Sequence, residues 1–154
     1  MSNQFDGLIQ LMQDLTKTLT QLTAVQKDVA SAVHTDDLTA LGECMKKENA
    51  LALTLRNIDQ KREKIQQQLG LEGVKLSELP GKVWDEEARP KVKQAAEELQ
   101  AQYRVMRSAT EVARSALECS LYDVESMMTK MGIDPRQVEQ QPASSNGAHT
   151  DFRA

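Results

Sequence analysis

Large rings are scarce in this chain: Phe, Tyr and Trp together make up 3% of its 154 residues. Aromatic side chains normally carry much of the apolar volume of a compact core. A ring-built globule is therefore excluded, and helices packed side by side, which manage with Leu, Met, Val and Ala, are favoured. The two cysteines, Cys44 and Cys119, lie far apart within helical patterns, which fits reduced, partly buried thiols rather than a disulfide or a metal pair. With His34 and His149 as the only histidines, no metal or cofactor is expected. Apolar runs fall short of the roughly 18 residues a membrane span needs. The start, Met1 to Gly7, has no basic n-region with a hydrophobic core behind it, so a cytoplasmic location and no membrane insertion are expected.

The formal net charge is −4, with Lys and Arg interleaved among Asp and Glu rather than clustered, so nucleic acid is not an expected partner. The chain has no phosphate-binding glycine loop, nucleophile elbow, HExxH or Cys and His at ligand spacing. The carboxylate pairs Glu97-Glu98 and Asp85-Glu86-Glu87 read as solvated helix faces. No enzyme activity is expected.

What is present is helical periodicity. Val92, Ala96, Leu99, Tyr103, Met106, Thr110, Ala113, Leu117, Leu121, Val124, Met128 and Met131 recur at alternating steps of three and four, a helix seam. No glycine or proline interrupts it between Lys91 and Met131, so one helix of roughly 60 Å is expected near 87–131, with the other elements as its support. Phe5, Leu8, Met12, Leu15, Leu19, Leu22, Val29 and Val33 form a first seam near 4–33, with Gln26 its one polar member. The positions Thr16, Thr18, Thr20, Gln21 and Thr23 are read as an outward side that is polar but uncharged, so that a further element can pack there too. After a turn at His34-Thr35-Asp36-Asp37, with Thr35 or Asp36 as N-cap, a second seam near 37–69 runs through Leu41, Cys44, Glu48, Leu51, Leu55, Ile58, Arg62, Ile65 and Leu69 to a C-cap at Gly70. Glu48 and Arg62 are read as flanking it on long stems.

Gly73, Pro80 and Gly81 mark a crossover loop at 71–85, with one helical turn at Leu76 to Leu79, and Trp84 is expected to plug the bundle end. Pro90 is tolerated only in a first turn. Past Gly132 the composition turns to Gln, Ser, Pro, Gly and Asn, and residues 133–154 are expected to be disordered. The fold class is all-α: an elongated antiparallel bundle of three long helices, residues 1–132, with coiled-coil-like packing.

Counting places the candidate site. If residue 87 lies level with residue 69 on an antiparallel neighbour, Cys119 lies level with Asp37 and the rest overhangs. Leu121, Val124, Met127, Met128 and Met131, continued upstream by Met106 and Leu117, are then the partner-binding residues; the alternative is a register shift or a helix break near Ser120. Methionine suits an adaptable surface.

The chain resembles the FlgN family of flagellar export chaperones over about residues 5–132. The resemblance rests on the first amphipathic helix, on LTALGECMKKENALALTLRNIDQKREKIQQQLG (Leu38 to Gly70), on LSEL in the crossover, and on ALECSLYDVESMMTKMG (Ala116 to Gly132). Thr110 and Ala113 stand where the family often has two asparagines. The resemblance implies a cytoplasmic chaperone whose C-terminal part binds the C-terminal helical region of hook-associated proteins of the hook–filament junction, with export-apparatus components as further partners. Rival readings of the pattern are a structural coiled coil that homodimerises through its exposed seam, a membrane-surface coat, and an enzyme.

Overall fold

The first helix, rather than the longest, is the one on which the other two long helices pack. A computed structural model describes residues 4 to 134 and residue 136. Its helices are α1 (Asp6–His34), α2 (Leu38–Gln68), the short α3 (Leu79–Lys82) and α4 (Ala88–Lys130). No strand occurs among the described residues. Most of the expected disordered tail, residue 135 and residues 137–154, lies outside them.

α1 packs along both α2 and α4, while the backbones of α2 and α4 nowhere approach within 8 Å. This overturns the view of the last helix as the organising element. Length is not centrality: α1 buries residues over more than half its circumference, and its neighbours bury one stripe each. Two threonines read as outward, Thr18 and Thr23, are among them. Each donates its hydroxyl to the carbonyl four residues earlier, Asp14 at 2.9 Å and Leu19 at 2.8 Å, so burial leaves neither hydroxyl without an acceptor. The main cluster gathers Phe5, Leu8, Met12, Leu15 and Leu19 of α1 with Leu55 of α2 and Val92, Ala96, Leu99 and Met106 of α4. A smaller one joins Val25 and Val29 to Cys44 and Ala113. Burying one such aliphatic side chain stabilises by about 1.5 to 3 kcal/mol.

Asp36, with φ of 52°, makes the reversal after α1. Asp37, not Thr35 or Asp36, caps α2 by accepting a hydrogen bond from the Ala40 amide at 3.0 Å. The C-cap of α2 is Leu69 rather than Gly70, which follows it with a φ of 73°, in the left-handed region that glycine adopts at least cost. The crossover is more than a loop. Leu71, Leu79 and Val83 are core residues, and the helical turn falls at Leu79–Lys82 rather than at Leu76 to Leu79. Gln66, almost wholly buried, donates to the carbonyls of Leu71 (3.2 Å) and Val74 (3.3 Å) and accepts from Arg62. Arg62 also donates to Asp59 at 2.8 Å, so it is held along α2 instead of reaching freely to solvent. Asp85, two residues before the N-cap Glu87, accepts from the amides of Glu87 and Ala88 at the start of α4. Trp84 does not plug the bundle end: it stays 54% exposed. It covers the fully buried Phe5 edge-on, with ring centroids 4.8 Å apart.

Candidate partner-binding site

The pairings of α1 with α4 run in step. Phe5 meets Trp84 just before α4, Thr23 meets Gln102, and Val25 and Val29 cluster with Ala113. The two helices are therefore parallel, offset by about 80 positions, and α1 runs out at His34 while α4 continues to Lys130. At about 1.5 Å per residue, the stretch from Leu117 to Lys130 is roughly 20 Å long.

One apolar stripe crosses this boundary. Ala88, Val92, Ala95, Ala96, Leu99, Met106, Ala113 and Ala116 are buried, and the same face continues as Leu117, Leu121, Val124, Met128 and Met131 at helical spacing. Where α1 lies against it the stripe mixes alanines with Val92, Leu99 and Met106, all buried; from Leu117, where α1 has ended, its members are large and mostly exposed. Leu121 is 57%, Met127 65% and Met131 69% exposed; Leu117 and Val124 are exposed too, and Met128 is half-buried. α4 is unbroken through Ser120.

Leu121 and Val124 are not wholly without neighbours, as the count of positions had implied, and neither is Leu117. Together with Ser120 and Val124 they face Ala32, Val33, Asp36, Asp37, Leu38 and Leu41 across a cavity of about 260 Å³ at the α1–α2 turn. Met127 and Met131 are not part of that lining. Leu38, 81% exposed, was missed in the sequence, and Leu41 was read only as a member of the α2 seam. The available signal was a leucine directly after an acidic cap with no seam position of its own. Met106 leaves the site: it is 8% exposed in the main core, and its sulfur accepts from the Thr110 hydroxyl at 3.3 Å. It shares the stripe with Leu117 but lies level with α1, which covers it.

A second concavity of about 680 Å³ opens between α2 and α4, floored by Leu15 and Leu19 of α1 and walled by Leu55, Leu99 and Tyr103. Its leucines are already buried, so an occupant would gain less there than on the distal stripe. Among the described residues, no group of three or more His, Cys, Asp or Glu could hold a metal ion, and no helix is long and apolar enough to cross a membrane. Cys44 is buried and Cys119 exposed, both free; Cys119 is thus more open than its place in the pattern suggested.

The family model for FlgN, described as FlgN protein, matches residues 1–135. The chain belongs to the FlgN family, so its role in general is that of a flagellar export chaperone. No curated protein and no solved structure matches it.

Proposed function

We propose that this FlgN-family chaperone holds an amphipathic helix from the C-terminal region of a hook-associated protein on the distal stripe of α4, keeping it unassembled and delivering it to the export apparatus. The observation that carries the reading is the change of the stripe at Ala116/Leu117 from buried to exposed while its apolar periodicity continues. Exposed leucines and methionines in one continuous row are a docking face more often than an accident of the surface, and a helix laid along such a row is a standard mode of peptide recognition. Subunits that polymerise through terminal helices are masked most directly by covering those helices.

The test is the triple variant Leu121→Ser, Val124→Ser, Met128→Ser, titrated with the C-terminal helical region of the cognate hook-associated proteins. Affinity should fall at least about 100-fold, equivalent to roughly 2.7 kcal/mol, while helicity and melting temperature stay close to those of the parent. Unchanged affinity, or a variant that unfolds yet binds normally per folded molecule, would show that the site lies elsewhere.

A further inference from the structure

The charges around the distal stripe point to one kind of occupant. Upstream, α4 is rich in cations: Lys91, Lys93, Arg104, Arg107 and Arg114 stand exposed beside Ala-lined core. From Leu117 on the balance reverses. Glu118 and Glu125 follow one edge of the stripe seven residues apart, and Asp123 lies on the other; Lys130 is the only cation of the stretch. Asp36 and Asp37 add two carboxylates from the turn that walls the same cavity. The ion pairs among the described residues are Lys46 with Glu43, Arg62 with Asp59 and Arg114 with Glu111. None of them involves Glu118, Asp123 or Glu125.

Resting on the reading above, we infer that the stripe selects an amphipathic helix whose apolar face is flanked by Lys or Arg, and that its acidic rim steers this helix in. Complementary rims raise association rates and exclude wrong partners. The same rim argues against a second copy of this chain docked in parallel, because that pairing of two distal stripes brings Asp123 of one against the Glu118 and Glu125 edge of the other. The chain's own C-terminal residues 137–154 do not suit the role either, with Val138 and Phe152 their only large apolar side chains.

The probes are two synthetic 20-residue helical peptides with the same Leu/Ile face, one flanked by Lys and one by Glu, titrated against the full chain at 50 and 500 mM salt. The Lys-flanked peptide should bind at least tenfold more tightly at 50 mM, with most of that preference lost at 500 mM. In Glu118→Gln, Asp123→Asn, Glu125→Gln the two affinities should converge while binding persists. Equal binding of both peptides to the parent, or a preference that survives neutralisation, overturns the charge selection and leaves the stripe as a docking face. Failure of both peptides to bind, or binding unaffected by the triple serine variant, overturns the docking face itself. A concentration-dependent dimer abolished by the serine variant would give the stripe to a second copy and overturn both.

Discussion

The side-chain amide of Gln102 donates to the hydroxyl of Thr23 at 3.2 Å across the α1–α4 interface, and that hydroxyl in turn donates a hydrogen bond to the Leu19 carbonyl at 2.8 Å. One buried oxygen is thereby both acceptor and donor between residues 79 positions apart in the chain. The pairing matters beyond its energy, because the offset between α1 and α4 decides which part of the α4 stripe α1 covers. Thr23→Val keeps the shape and removes the partner. It should cost about 1 kcal/mol, read as a lower urea midpoint at unchanged m-value, with client affinity unaltered.

Core and docking face should separate cleanly in stability. Leu8 is fully buried at the centre of the main cluster, and Leu8→Ala should cost about 2 to 5 kcal/mol. Met106→Ala should also destabilise the fold, yet leave client affinity per folded molecule intact. Leu121→Ala removes a side chain that stands mostly in solvent and should stay within about 0.5 kcal/mol of the parent. Urea denaturation of the three variants, set beside client titrations, checks this.

The all-helical character was legible because apolar residues recur at three and four along most of the chain, and nothing competes with that period. The hub was not, for a reason visible in Thr18 and Thr23. Both are polar and fall outside the heptad seam, so a one-sided reading puts them in water. A threonine that bonds back to its own helix can be buried on a second face; the lack of charge over so wide an arc of α1 signalled that something packs there too, but not that it makes α1 the hub. The distal stripe could be read from Leu117, Leu121, Val124, Met127, Met128 and Met131 because periodicity continues past the point where a partner is expected to stop. The fate of Met106 could not, since it differs from Leu117 only in its level relative to the end of α1. That level depends on how Gln66 and the crossover fold back, which spacing does not encode.

Gln66 offers a test of that crossover. Its amide satisfies two carbonyls of the segment after α2, and Gln66→Leu would leave both without that donor in a buried setting. A loss of about 1 to 3 kcal/mol is expected. Hydrogen exchange should speed up in residues 71–76 before it does in α1, since a loop freed from its anchor opens locally at lower cost than the helices unfold.

The two ends of the molecule can be read independently, because Trp84 marks one and Cys119 the other. Cys119 is exposed and Cys44 buried against Val25, Val29 and Ala113, so a maleimide dye should label Cys119 within minutes and Cys44 only as the fold opens. At 3.6 residues per turn, Cys119 lies well round α4 from Leu117 and Val124, so the dye reports on the stripe without blocking it. Trp84 precedes the start of α4, roughly 50 Å of helix from Val124 at about 1.5 Å per residue. Client binding on the distal stripe should change the emission or anisotropy of the Cys119 dye and leave acrylamide quenching of Trp84 as it was. A client seated in the groove between α2 and α4 would instead lie beside Tyr103 and residues 74–77, near the Trp84 end. Altered Trp84 quenching with a silent Cys119 dye would therefore move the site from the distal stripe to that groove.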